Sequence, residues 1–307
     1  MRIFAYGLLC AVVLSPVSGS TAEVQPAQMA GRPIACADYT AGKVFLLSSG
    51  GNIEWEQPAP HCNDLWALAN GNVLFSTGHG VKEMTREGKT VFSYESKSEI
   101  YACQRLEGGN TFVGECNAGR LLEIRPDGTI AKEIRLLRDG RDGGHTYMRN
   151  ARRLRDGNYL VAHYGEGVVR EYDPDGRIVR EIKAEGGPHS AIRLPDGNTL
   201  VACGDRTKAA RVFEANKDGA VIWEIGPRDL PGIELKFMAG LHRLPNGNTL
   251  MSNWVGHGQF GKAPHLMEVT RDKKVVWTFA DHARFRTISS VQALDVPGDP
   301  VKGEVLH

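Results

Sequence analysis

The stretch His189–Leu200, HSAIRLPDGNTL, decides the fold, because variants of it recur along the chain. It returns as NDLWALANGNVL from Asn63, YACQRLEGGNTF from Tyr101, RNARRLRDGNYL from Arg149 and AGLHRLPNGNTL from Ala239. Each copy is a short apolar run, a tight polar turn and a second apolar run, which reads as a β-hairpin. The turn glycines Gly71, Gly109, Gly157, Gly197 and Gly247 fall where a three-residue hairpin with a bulge needs a left-handed residue.

About 20 residues after each turn comes a second one, at Gly88, Gly128, Gly176 and Gly219, with Asp272-Lys273-Lys274 in the last unit. Four short strands every 38 to 50 residues, repeated, predict an all-β protein built as a β-propeller. Five copies carry the Gly-Asn turn. The segment from Ile34 to Glu56 aligns with the later strands of the unit at Val201 and lacks an innermost strand. Ser289–Leu294 matches the missing piece, so the expected ring has six four-stranded blades, closed by the C-terminal strand joining the N-terminal blade. Such closure removes exposed sheet edges.

The repeat style, DGN followed by GxVxWE, resembles the PQQ-like repeats of quinoprotein alcohol dehydrogenases and the propellers of bacterial arylsulfotransferases. The resemblance spans nearly the whole chain from Ile34 and implies a propeller scaffold. The arylsulfotransferase likeness implies a channel histidine that carries a sulfuryl group, with His189 or His145 in place by position. No PQQ is expected: the vicinal cysteine pair of the alcohol dehydrogenases is absent, and six blades are fewer than their eight.

The chain has 307 residues and a formal net charge of +1, which gives no reason to expect nucleic acid as a partner. It starts Met1-Arg2, continues through the apolar run Ile3–Val17 and reaches small residues at Ser20 and Ala22. That order predicts a signal peptide over 1–22, a linker over 23–33, a propeller over 34–307 and a periplasmic or secreted protein with no membrane span after cleavage. Five cysteines then remain, with no CxxC pair, and read as buried apolar residues.

In a propeller the Gly-Asn turns lie at the bottom face, and the loops leading into the innermost strands surround the top of the channel. Comparing blades separates scaffold from candidate site. Arg105, Arg153, Arg193 and Arg243 recur at one position, which predicts a structural role, pairing with acids or turn carbonyls; a basic ring for an anion is the alternative. Four residues earlier the blades disagree: Asn63, Tyr101, Arg149, His189, Ala239 and Ser289.

Histidines gather near the same mouth, and imidazole serves as base, nucleophile or ligand near neutral pH. His145, His189 and Arg149 are the expected catalytic groups. His61, Asp64, Tyr101, Asn150, His163, Asp205, His242, Asn253 and Trp254 are the expected ligand-binding groups. Three long loops, Arg138–Met148, Pro227–Met238 and Asn253–His265, fit a functional role. The first reading is a binding module for a small, anionic or carbohydrate ligand, or for a protein partner on the top face. The second is an exported hydrolase, lyase or sulfotransferase-like enzyme. In a third, a divalent metal is held by three of His61, His79, His145, His163 and His189, although no metal-spacing motif assigns a ligand set.

Overall fold

The computed structural model describes residues 31–137, 140–204 and 210–307. The expected signal peptide and most of the linker therefore lie outside the described residues. The first blade opens with β1 (Ile34–Asp38), β2 (Lys43–Leu47) and β3 (Ile53–Pro58). The second is β4 (Leu65–Ala67), β5 (Val73–Ser76), β6 (Gly80–Met84) and β7 (Thr90–Glu95). The third is β8 (Ile100–Arg105), β9 (Thr111–Glu115), β10 (Arg120–Ile124) and β11 (Ile130–Arg135). The fourth follows as β12 (Ala151–Arg153), β13 (Tyr159–His163), β14 (Val168–Tyr172) and β15 (Ile178–Lys183). The fifth is β16 (Gly187–Arg193), β17 (Thr199–Gly204), β18 (Arg211–Ala215) and β19 (Val221–Ile225). The sixth is β20 (Met238–Arg243), β21 (Thr249–Asn253), β22 (Leu266–Val269) and β23 (Val275–Phe279). Finally β24 (Ile288–Ala293) pairs antiparallel with β1.

The six sheets are the six antiparallel four-stranded blades of a β-propeller, and the ring closes as the repeat predicts. Every Gly-Asn turn glycine has positive φ, from 84° at Gly247 to 104° at Gly157. In the second hairpin of the last blade Lys273 takes that conformation, with φ 63°. Apolar residues from facing blades merge into clusters between the sheets, such as Leu160, Val169, Ala191, Val201 and Phe213 between the fourth and fifth blades.

A polar clasp sets how neighbouring blades meet. The third strand of five blades carries a glutamate, each at the residue before a register shift in its pairing: Glu83, Glu123, Glu171, Glu214 and Glu268. Four receive the recurring arginine from the next blade's innermost strand. Arg105 pairs with Glu83, Arg153 with Glu123 at 3.2 Å, Arg193 with Glu171 at 2.6 Å and Arg243 with Glu214 at 3.1 Å. The turn asparagine of the glutamate's own blade adds a hydrogen bond, as from Asn158 to Glu171 at 2.7 Å and from Asn248 to Glu268 at 2.6 Å. Glu268 faces Ala293 of the closing strand's blade, and Arg32 supplies the cation instead, at 3.4 Å. Where the glutamate position is Leu46, the arginine position is Ala67, and both join one apolar cluster. Acid and base are present together or absent together.

All five cysteines of the described residues are free and buried, as their scatter suggested. Burial pushes the Cys62 and Cys203 thiols up to about 12, so they stay protonated. Beyond β24 the chain forms a 3-10 turn at Pro300–Lys302 and then crosses beneath the channel. There Arg243 donates its backbone N–H to Leu306, and the His307 ring lies 3.9 Å from that of Trp66. The sequence reading had no role for this plug.

Breaking one clasp tests its weight. Glu171→Leu strands a mostly buried guanidinium and should cost roughly 3 kcal/mol in urea unfolding. Adding Arg193→Ala, which copies the Leu46–Ala67 pair, should recover at least half; equal losses in single and double variants would refute the clasp.

Candidate functional site

The six positions at which the blades disagree meet at the top of the channel. Four of them are bulged residues. Pairing skips Tyr101 between Ile100 and Ala102, His189 between Pro188 and Ser190, Ala239 with Gly240 between Met238 and Leu241, and Ser289 between Ile288 and Ser290. A bulge re-aims a side chain that would otherwise follow the pleat. In the other two blades the residue sits just ahead of the strand. Ser76 Oγ accepts from the Asn63 backbone N–H at 3.0 Å, and Arg149 N–H donates to the Ala162 carbonyl at 2.9 Å.

Four of the six, Asn63, Tyr101, Arg149 and His189, line a cavity of about 150 Å³ together with Tyr39, His145, Tyr164, Phe237, Trp254 and His257. Its rim is an aromatic collar. Tyr39 meets Trp254 edge-on at 6.1 Å, Trp254 meets Phe237 at 5.4 Å, and Phe237 stacks with Tyr164 at 6.1 Å. Arg149 continues the circuit, its guanidinium 4.8 Å from the Tyr164 ring and 4.3 Å from that of Tyr101. Tyr39, on the same cavity wall as Tyr101, completes it.

Three glycines make room for three of these rings. A Cβ at Gly187 would lie 2.3 Å from Tyr164 Cε2, one at Gly204 2.3 Å from Phe237 Cε2, and one at Gly256 2.0 Å from Trp254 Cη2. No side chain fits at such distances, so backbone backs each ring. Asn253 holds the loop that delivers Phe237. Its Oδ1 accepts from the N–H groups of Lys236 at 2.7 Å and Phe237 at 3.3 Å, and its Nδ2 donates to the Glu234 carbonyl at 3.0 Å.

Arg149 is 6% exposed and, among the described residues, has no carboxylate partner. It donates to the His145 carbonyl and lies 3.9 Å from Cys116 Sγ. A buried cation without a counter-ion makes the cavity floor electropositive. Burial, with the Arg149 charge beside it, pushes His189 down to about 3, so its imidazole is neutral, and its Nδ1 has no partner. At the rim His145 Nδ1 lies 2.7 Å from Glu99 Oε2, with the Tyr101 hydroxyl at 3.4 Å.

Of the expected residues, the cavity thus gathers His145, His189, Arg149, Tyr101 and Trp254. His61 stands just outside, 5.1 Å from the Tyr39 ring, in the left-handed conformation with φ 53°. Asp64 and Asn150 lie deeper. Asp64 receives two hydrogen bonds from Arg152, at 2.6 and 2.9 Å, while burial pushes its carboxyl up. His163 is sealed away from the mouth, with Tyr172 Oη 2.8 Å from its Nε2 and the Tyr147 ring 4.9 Å away. His242 is buried toward the bottom beside His307, and Asp205 lies outside the described residues. Among the described residues no three His, Cys, Asp or Glu side chains gather to hold a metal, so the five histidines do not converge. Tyr39, Tyr164, Phe237 and His257 were missed. The long loops that were singled out carry Phe237 and His257, but Tyr39 and Tyr164 give no such signal.

The model of the Mal s 1 allergenic protein-like family matches residues 70–274. A protein of unknown function from Bacteroides caccae is 29% identical, covering 86% of this chain and 99% of its own, with a TM-score of 0.76. Virginiamycin B lyase from Staphylococcus aureus is 16% identical, over 83% and 87%, with a TM-score of 0.54. A chain of the nidogen/laminin complex is 14% identical, over 85% and 97%, with a TM-score of 0.61. The last two agree in fold alone. No curated protein matches.

His163, His189 and His242 at about 3, and His265 at about 4, lie below the usual value because burial disfavours their charged form. The unfolded chain therefore binds more protons between about pH 6.5 and pH 3, and stability is fully present above that window and lost as pH falls through it. The melting temperature should drop steadily across it; a flat profile would mean these rings are not buried neutral.

Proposed function

We propose that this chain, which belongs to the Mal s 1 allergenic protein-like family, binds a small acid carrying a flat ring at its aromatic collar. The supporting observation is Arg149, buried, flanked by Tyr101 and Tyr164 and without a carboxylate partner among the described residues. A ligand carboxylate would complete a charge-assisted pair that the protein leaves open. Tyr39, Phe237 and Trp254 offer ring faces and edges to the apolar part. A cavity of about 150 Å³ takes one six-membered ring, since a cavity of that size admits benzene. A glycan or a protein partner would meet the same aromatic rim, but neither needs a buried cation beneath it.

The His145–Glu99 pair favours a second reading, in which the bound acid is also a substrate. Glu99 would orient the imidazole of His145 for proton transfer at the rim. For location we propose export, supported by the basic start, the apolar run Ile3–Val17 and the small residues before Glu23. Amino-terminal sequencing of the protein from its native host should begin at Glu23; retention of Met1 would exclude this.

Calorimetric titration with benzoate tests the collar. The wild type should bind, and Arg149→Met should weaken binding at least about tenfold, the scale of one charge-assisted hydrogen bond. Equal affinity in both proteins would remove Arg149 from the site. Chemical recovery of the acid afterwards separates the two readings: intact ligand means binding only, consumed ligand means turnover.

A further inference from the structure

Beneath the collar the channel narrows to a second chamber of about 10 Å³, bordered by Asn63, Asn150, His189, Ser190 and Ser289 among others. Asn63 and His189 border the collar cavity as well, so the two spaces share a wall. A chamber of this size accommodates one oxygen atom, from a water or a hydroxyl. Arg152 borders it too, but its charge is already met by the paired oxygens of Asp64 and by the His307 carbonyl at 2.9 Å. The chamber is therefore polar without an uncompensated charge.

Three residues on its walls carry a buried atom with no protein partner: Asn150 Oδ1, His189 Nδ1 and His307 Nε2. Asn150 and His189 are 6% and 7% exposed, and His307 is 3% exposed. The Asn150 backbone N–H donates to the His189 carbonyl at 3.1 Å, which keeps the two residues side by side on neighbouring blades. Buried polar groups in native proteins are met by protein, water or ligand, because leaving them unmet is costly.

We propose that this chamber is a one-oxygen subsite of the collar pocket, so that the preferred ligand is a ring acid that also carries a hydroxyl group. The acid meets Arg149, and the hydroxyl oxygen enters the chamber against Asn150 and His189. A hydroxyl donates its one proton to Asn150 Oδ1 and accepts from His189 Nδ1–H, so it satisfies both atoms when the neutral imidazole carries its proton on Nδ1. With an unsubstituted ring acid bound, a water fills the same place. This inference rests on the collar being the acid site.

The test compares benzoate with 2-, 3- and 4-hydroxybenzoate, titrated into the wild type and into Asn150→Leu and Asn150→Ala. At least one isomer should bind the wild type about tenfold tighter than benzoate, the scale of one buried hydrogen bond. That advantage should vanish in either variant while benzoate affinity holds. Isomers all equal to benzoate in the wild type, or an advantage that survives both substitutions, would overturn the subsite. If no ring acid binds the wild type, the collar reading fails, and a high-resolution ligand-free crystal structure decides the chamber alone. An ordered oxygen within hydrogen-bond reach of both Asn150 Oδ1 and His189 Nδ1 supports it; a dry chamber overturns it.

Discussion

The clasp between a third-strand glutamate and the next blade's innermost arginine is the interaction on which the rest of this propeller depends. Apolar packing between blades is non-directional and would tolerate sliding by a residue. A mostly buried charge pair does not, because any slip leaves an ion unmet at a cost of several kcal/mol. The chain treats the two partners as a unit: Arg32 stands in where the closing blade offers Ala293, and Leu46 faces Ala67 where both charges are missing. The sheets consequently meet at a common height, with the bottom turns below and the bulged positions above.

That common height makes a site out of residues that are far apart in sequence. Tyr39, Asn63, Tyr101, Arg149, His189 and Phe237 come from six different blades or their loops, yet they line one cavity. Tyr101 and His189 are aimed inward by a bulge, Asn63 and Arg149 by a backbone hydrogen bond just ahead of the strand, and Phe237 by a loop held by Asn253. The glycines behind Tyr164, Phe237 and Trp254 complete the arrangement, because backbone alone lets those rings sit flat against the wall.

The electrostatics follow from the same geometry. Arg149 and Arg152 are both buried near the channel axis, but only Arg152 has a carboxylate, that of Asp64. One cation thus braces the shaft, and the other is left to the pocket, where tyrosine faces lower the cost of burying it. His189 stays neutral beside it, since a second positive charge there would be unsupported on both counts, burial and repulsion.

The fold was legible because turns are local: a left-handed glycine followed by asparagine needs no partner elsewhere to be recognised, and the repeat multiplies the signal. The position where the blades disagree was legible too, and it led to Tyr101, Arg149 and His189. Histidine count was a poorer guide. His163 and His242 face packed interiors, and a periodic pattern says which residues are inward without saying whether inward means core or channel. Tyr39 and Tyr164 carried no signal, since their place follows from how a loop lies over a neighbouring blade. The sequence by itself determined six blades, their closure and the position at which the blades disagree, because hairpin chemistry and repetition are written residue by residue. Only the tertiary structure decided which side chains share the cavity and which charge is left unpaired, because both depend on contacts between blades that are distant in the chain.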